Sequence, residues 1–328
     1  MANTDIRLGD TIIYGADDIT RSFVNEFLND KDYVIAHTSG STGSPKEIKL
    51  LKNDMIVSAK ATCQYFGINS ESRLLLPLSA SYIAGKMMVV RAIVSGADLY
   101  VEKPSNTPFN KDYGKIDLLP IVPSQIDAIL SSQYLPQIQN VIIGGGAVPH
   151  TIEEKIVKSV INAYATYGMT ETCSHIALRK INGNSSCYHA LPGITFATDD
   201  RQCLIINAPK YSFESITTND VVKIIDEKKF QWIGRYDNVI NTGGIKVYPE
   251  DIEKKISHLI DVPFYIAGVG DEKWGTKVVL YIEALEYNKS LILNEASCIL
   301  DKFSLPKEIR LIANFERTDS GKIKRLPL

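Results

Sequence analysis

Thr38-Ser39-Gly40-Ser41-Thr42-Gly43-Ser44-Pro45-Lys46 follows directly on the apolar run Tyr33-Val34-Ile35-Ala36. Hydroxyl side chains, glycines that leave backbone N–H groups accessible and a terminal lysine give this loop both the donors and the charge to hold an anion. It reads as a phosphate cradle between a strand at 33–37 and a second at 47–50. The common nucleotide loop needs four residues between its first glycine and a Gly-Lys-Ser/Thr ending, whereas Lys46 here follows Pro45 and precedes Glu47. Pro45 also opposes immediate entry into a helix, so a kinase-type site is disfavoured. Taken alone, the stretch is equally well a flexible Ser/Gly hairpin.

The chain of 328 residues is long enough for a substantial core and for two domains. A formal net charge of −2 supplies no basic field for nucleic acid or an acidic membrane, so the expected partner is a small molecule. Cys63, Cys173, Cys187, Cys203 and Cys298 are scattered and never form a Cys-x-x-Cys pair. That spacing argues against a disulfide framework and a zinc site, and fits a reducing compartment. The opening MANTDIRLGD has no basic segment leading into an apolar core, and no apolar run approaches the length of about 18 that spans a bilayer. No membrane insertion and a cytoplasmic location are expected; a homo-oligomer stays open.

Asp17-Asp18-Ile19-Thr20 ahead of Phe23, Val24, Phe27 and Leu28 predicts one amphipathic helix. Beyond the loop, Asn53 is the expected cap of a helix carrying Met55, Ile56, Ala59, Cys63 and Phe66, with Gly67 as its stop. Residues 74–76 read as a buried strand and 83–94 as an apolar helix ending near Gly96. Strand candidates at 97–101, 116–122 and 141–143 alternate with helical stretches around 124–132 and 150–160, the signature of an α/β sheet whose ligands gather beyond the strand ends. From Cys203 the pattern changes to shorter β segments at 203–207, 221–226 and 230–233, the last two forming a hairpin around Glu227-Lys228-Lys229. A further unit then follows, with a helix after Pro249, strands at 264–269 and 277–283, a helix at 289–301 and a strand at 309–315. The expected division is a large domain, 1–235, and a small one, 236–328, with a hinge at 234–238.

Several loops are chemically rich. Gly144-Gly145-Gly146-Ala147 permits close backbone approach by a flat ligand, or is a plain tight turn. Tyr164 to His175 brings hydroxyls, an acid, a thiol and an imidazole together. Thr218-Asn219-Asp220 reads as a polar turn, Asn241-Thr242-Gly243-Gly244 as a glycine turn, and Asp319-Ser320-Gly321-Lys322-Ile323-Lys324-Arg325 lies near the end. One acid able to hold Mg²⁺ against phosphates, another able to accept from ribose hydroxyls and a lysine able to neutralise charge at phosphorus are the parts of a nucleotidyl-transfer site. Each has a plainer reading: Glu171 as a helix cap, Asp220 in a turn, Arg235 in a surface pair, Lys322 as a solvated charge. Cys173 and His175 suit core packing as well as pocket lining.

In their order across roughly residues 33–325, TSGSTGSPK, GGGA, YGMTET, TND, GRYDNVINTGGIKVYPEDIE and DSGKIKR resemble the motifs of the adenylate-forming superfamily, which holds acyl-CoA synthetases, luciferases and peptide-synthetase adenylation domains. The resemblance implies an α/β fold: a large N-terminal domain of mixed sheets flanked by helices and a small mobile C-terminal α+β domain. It implies ATP, Mg²⁺ and CoA, and no protein nucleophile, so no covalent role falls to a cysteine. By the same resemblance Thr38, Ser39, Gly40, Ser41, Thr42, Gly43 and Lys46 hold the β- and γ-phosphates, Thr170 touches the α-phosphate and Glu171 binds Mg²⁺. Asp220 and Arg235 hold the ribose, while Gly144, Gly145, Gly146, Ala147, Tyr167 and Gly168 border adenine and acid. Asp237 is the implied hinge, and Lys322 bridges the acid and the α-phosphate during adenylation. The glycine turn at 243–244 faces the site in the thioester-forming orientation.

YGMTETCS resembles the form found in the branch of the family that activates o-succinylbenzoate, whose second carboxylate asks for neutralising or hydrogen-bonding groups. Ser81, Tyr82, Lys86, Thr172, Ser174 and His175 are the candidates. Three features depart from the family pattern. Asn219 stands where glycine usually precedes the ribose aspartate, a change that asparagine's tolerance of left-handed backbone accommodates in a turn. Tyr82 stands where histidine is common after Leu76-Pro77-Leu78. The portion before the phosphate loop is short, implying a pared-down large domain.

Overall fold

The computed structural model describes residues 5–37, 47–317 and 323–325. They divide into two compact units: Met1–Phe196 with Ile206–Ile216 and Asp226–Lys229, and Ala197–Ile205 with Thr217–Ile225 and Phe230–Leu328.

The first unit opens with strands β1 (Ile6–Leu8) and β2 (Thr11–Tyr14) and helix α1 (Asp18–Leu28). Asp17 caps that helix by accepting from the Thr20 N–H at 2.7 Å. Strands β3 (Tyr33–His37) and β4 (Glu47–Leu51) pair antiparallel as a two-stranded ribbon, and β4 runs directly into α2 (Lys52–Phe66). Leu51, not Asn53, therefore stands at the helix entry, and no side chain caps it. The helix stops at Gly67, whose φ of +69° and N–H bond to the Cys63 carbonyl make a left-handed cap that glycine adopts without a Cβ penalty. Strand β5 (Arg73–Leu76), helix α3 (Ile83–Ser95) and strand β6 (Asp98–Val101) follow, and β2, β6 and β5 lie parallel in one sheet with β1 antiparallel at its edge.

A second sheet begins with β7 (Leu119–Ile121), α4 (Ile126–Leu130), β8 (Asn140–Ile143), α5 (His150–Val157) and β9 (Asn162–Gly168). Two strand–helix–strand crossovers make β7, β8 and β9 parallel, with β10 (His175–Lys180) and β11 (Cys187–Ala190) added antiparallel. Val141, Ile143, Ala163 and Ala165 pack one core of this unit; Leu74, Leu76, Met87, Val90 and Leu99 pack the other. Next come β12 (Thr195–Thr198), β13 (Cys203–Ala208), β14 (Glu214–Asp226) and β15 (Lys229–Arg235), and the unit boundary passes through this group.

In the second unit, β16 (Ile240–Thr242) and β17 (Ile245–Val247) form a hairpin closed by Gly243 and Gly244. Their φ values of +57° and +82° are those of the two-residue turn that matches strand twist. Helix α6 (Pro249–Ile256) starts on proline and carries Glu250 and Asp251 in its first turn and Lys254 and Lys255 in its last, all favourable to the helix dipole. Strands β18 (Phe264–Asp271) and β19 (Gly275–Glu283) pair antiparallel, helix α7 (Lys289–Ser297) intervenes, and β20 (Glu308–Ile312) joins β19 in parallel. Ile252, Ile256, Ile266, Leu280 and Ile292 fill the core between helices and sheet.

Candidate active site

Strands β8 and β9 run in register, Ile143 beside Ala165, so the loops leaving their C-terminal ends start side by side. That is where parallel sheets present ligand sites. Thr166 on β9 donates its hydroxyl to the Ile143 carbonyl at 3.1 Å, and a Cβ on Gly144 would stand 2.8 Å from that Thr166 hydroxyl oxygen. Residue 144 therefore has to be glycine. Gly145, Gly146 and Ala147 are exposed, and nothing lies within 4 Å of where a Gly146 side chain would be. The geometry thus brings GGGA and YGMTET to one sheet end.

The loop after β9 closes on itself. A Cβ at Gly168 would overlap the Ser174 carbonyl, and the buried Thr172 hydroxyl lies 3.0 Å from the Met169 N–H and 2.8 Å from the Ser174 carbonyl oxygen. Thr172 is committed within the loop. Cys173 is buried at a φ of +62°, and burial pushes its thiol up to about 12, so it carries no thiolate at neutral pH. Glu171 is exposed and Thr170 half-buried at the crest of the turn. The Tyr167 ring lies 5.6 Å from that of Tyr188.

Beneath this loop is a buried polar group. The Ser174 hydroxyl accepts from Arg91 Nη2 at 2.9 Å and lies 3.3 Å from His175 Nδ1; His175 Nε2 is 3.2 Å from the Thr62 hydroxyl on α2. Burial, and then the neighbouring Arg91, hold the imidazole well below its usual range, so it is neutral at pH 7. Arg91 is 1% exposed, and its other bond is to Met88 Sδ at 3.5 Å. Its Nε has no hydrogen-bond partner, and among the described residues no carboxylate pairs with it. Burial pulls its pKa down to about 10, which still leaves a cation at neutral pH. An uncompensated buried cation is costly, and an arriving anion would relieve it. The sequence reading missed Arg91: its signal was a lone charge in an apolar helix, but its partner Ser174 lies 83 positions away.

The other acid-binding candidates are placed differently. Ser81 and Tyr82 are exposed at the start of α3. Lys86 is buried, donates to the Ile35 carbonyl at 3.0 Å, meets Glu26 at 3.3 Å and lies 4.7 Å from the centre of the Phe23 ring. It holds the strand that leads towards residue 38.

In the second unit, residues 218–220 are not a turn. They lie within the 13-residue strand β14, where Thr218 and Asp220 point inward and Asn219 outward in two-residue alternation, and Asn219 is not among the positive-φ positions. Asp220 accepts from Trp232 Nε1 at 3.2 Å and lies 3.5 Å from Arg235 Nη1, while Arg235 Nη2 is 3.2 Å from Asp237. The Asn219 amide nitrogen is 3.4 Å from both Asp237 oxygens. The expected ribose pair and hinge aspartate thus form one chain of contacts. The Arg235 side chain is 44% exposed, so these contacts are screened and exchangeable.

The stretch from Thr38 to Lys46, and Lys322, lie outside the described residues. Among the described residues no group of three His, Cys, Asp or Glu side chains converges to hold a metal. Glu171 as a lone exposed carboxylate suits Mg²⁺, which binds through one or two carboxylates together with substrate phosphates. Among the described residues, no helix is long and apolar enough to cross a membrane.

The family described as AMP-binding enzyme matches residues 16–209. An acyl-CoA synthetase (AMP-forming)/AMP-acid ligase II-like protein from Dyadobacter fermentans is 34% identical, with 93% of this chain and 91% of that one covered and a TM-score of 0.64. The 2-succinylbenzoate–CoA ligase of Listeria monocytogenes serotype 4b is 27% identical over 89% of this chain and 68% of its own length. The o-succinylbenzoate CoA synthetase of Bacillus subtilis, solved with its acyl-adenylate intermediate, shares the fold at a TM-score of 0.76 and 19% identity, over 89% of this chain and 67% of that one. With a match over more than half its length and a relative of 34% identity over nearly all of it, the chain belongs to the AMP-binding enzyme family.

Proposed function

We propose that the acid activated by this AMP-forming acid–CoA ligase is o-succinylbenzoate, and that its product is the o-succinylbenzoyl-CoA used in menaquinone biosynthesis. The observation that carries the choice of acid is Arg91. One carboxylate of the substrate reacts and the other has to be neutralised, and the guanidinium beneath Ser174 is a buried cation with no carboxylate of its own among the described residues. A monocarboxylate such as benzoate would leave it unanswered. Curated relatives at 22–27% identity that bear the name 2-succinylbenzoate–CoA ligase support the same reading.

The reaction has two halves. A carboxylate oxygen attacks the α-phosphorus of ATP and displaces pyrophosphate; the CoA thiol then attacks the acyl-adenylate carbonyl and displaces AMP. In this reading Thr38 to Lys46 hold the outer phosphates, Thr170 the α-phosphate, Asp220 and Arg235 the ribose, and the exposed backbone at 144–147 with Tyr167 borders the adenine. Glu171 would hold Mg²⁺, which when bound would supply charge neutralisation at the phosphates. Lys322 bridges acid and α-phosphate in the first half, and Asp237 is the hinge between the two. Positioning and charge neutralisation carry the catalysis.

Pyrophosphate release from ATP and Mg²⁺ should be measured with o-succinylbenzoate, benzoate and succinate, each with and without CoA. Release selective for o-succinylbenzoate is the expected result. Release with another acid alone would remove the substrate, and no release despite ATP binding would favour a nucleotide-binding sensor.

A further inference from the structure

Three neighbouring strands of the first unit bring Tyr167, Ala177, Arg179 and Tyr188 onto one face. Tyr167 on β9 stands opposite Ala177 on β10, Arg179 opposite Ala165, and Ala177 in turn opposite Ala190 on β11. Residues two apart along a strand share its face, so Arg179 and Tyr188 fall beside these positions. Ala177 is fully buried and carries only a methyl group, which leaves room for Tyr167 and Tyr188 to meet across it from strands that do not pair with each other. Their ring centres are 5.6 Å apart at an angle of 57°, the spacing and tilt of a favourable aromatic pair.

Tyr188 is held in turn by Arg179, whose guanidinium carbon lies 5.7 Å from the centre of the ring. Arg179 Nη1 and Nη2 fork onto Glu153 of α5 at 3.2 and 2.5 Å, and Nη1 also lies 3.5 Å from the Ser185 carbonyl oxygen. The two side chains are 13% and 25% exposed, so water screens the pair far less than it screens Arg235. A bidentate fork fixes direction as well as distance. Val148 and Ile152 pack on the same core as Tyr188, Ile143 and Ala165, which seats α5 on this face.

A pair serving the core alone would be buried, as the stacked Tyr265 and Tyr281 are in the second unit. Tyr167 and Tyr188 both stay partly exposed. Tyr167 lies next to Gly168 at the end of β9, and α5 follows the loop at 144–147, so the fork joins the helix behind one proposed border of the adenine to the aromatic pair at the other. A ring already held in place loses less freedom when a ligand arrives.

We propose that Tyr188, braced by the Arg179–Glu153 fork, is a positioning residue that sets the Tyr167 ring for the adenine of ATP. The inference rests on the reading above that puts Tyr167 beside the adenine. Tyr188 acts through Tyr167.

The test uses the full chain carrying Tyr188→Leu, Arg179→Lys, Tyr167→Leu, or Tyr167→Leu with Tyr188→Leu. Calorimetric binding of ATP with Mg²⁺ in the absence of acid is read together with the KM values for ATP and for o-succinylbenzoate in pyrophosphate release. Tyr188→Leu should weaken ATP binding and raise the KM for ATP by roughly three- to tenfold. The KM for the acid, and kcat at saturating ATP, should stay within about twofold. Arg179→Lys, which keeps the charge and loses the fork, should give a smaller loss of the same kind. The double variant should bind ATP within about twofold of Tyr167→Leu alone, because a residue that acts through another adds nothing once that one is gone. Unchanged ATP binding in both folded Tyr188→Leu and Arg179→Lys, losses that multiply in the double variant, or an equal rise in the KM of the acid would overturn the proposal. Normal ATP binding by Tyr167→Leu would instead overturn the place given to Tyr167, and the proposal with it.

Discussion

Arg91 and Arg325 are both withdrawn from water to different degrees, and they keep different company. Arg325 forks onto Glu253 and a backbone carbonyl, so its charge is answered within the fold. Arg91 meets a serine hydroxyl and a thioether and has no carboxylate among the described residues. A charge paired inside the structure fixes a direction, while a charge left unpaired favours whatever anion the site receives. Arg325 belongs to the architecture of the small unit; in the function proposed above, Arg91 serves acid recognition in the large one.

The comparison is most exposed to paired substitution by methionine, which keeps much of the volume and removes the charge. Arg91→Met should lower pyrophosphate release with o-succinylbenzoate by about a hundredfold or more while leaving the melting temperature unchanged or higher, because it removes a cation that the fold does not compensate. Arg325→Met should instead destabilise the second unit by about 2–3 kcal/mol, since Glu253 would be left largely buried and unpaired. Denaturant titration and steady-state kinetics on both variants check this. If Arg91→Met destabilises as much as Arg325→Met at unaltered selectivity for the acid, the distinction fails.

A smaller effect sharpens the same contrast. His175 is kept neutral in the folded protein well below its ordinary value of 6.5, by burial and then by Arg91. On acidification the unfolded chain takes up the proton first. Stability associated with this site is therefore whole above about pH 6.5 and lost progressively below it. His175→Gln should flatten the fall in urea midpoint between about pH 7 and 5, and a slope identical to that of the parent would contradict the assignment.

Much of the local structure was legible because its causes are local. The helix behind Asp17, the stops at Gly67 and Gly96 and the alternating strands and helices from 97 to 168 follow from caps, left-handed glycines and periodicity. The reading of 218–220 as a turn failed because polar residues in the middle of a long strand resemble turn residues when only their identity is considered; their alternation with Val221 and Val222 was the better signal. Asn53 failed as a cap because β4 enters α2 without a loop. Lys86, a candidate for the acid, lines a cavity with Ser81 while bonded to Glu26 and the Ile35 carbonyl, partners that no local pattern announces. The bonds of Arg91 to Ser174 and of Arg325 to Glu253 span 83 and 72 positions, distances over which no periodicity speaks.

The ligase reaction proposed on a dicarboxylate is tested most directly by mass spectrometry of the products after incubation with ATP, Mg²⁺, CoA and o-succinylbenzoate. The expected products are o-succinylbenzoyl-CoA and AMP in equal amounts, both dependent on the acid. ADP in place of AMP, or AMP without any thioester, would contradict it.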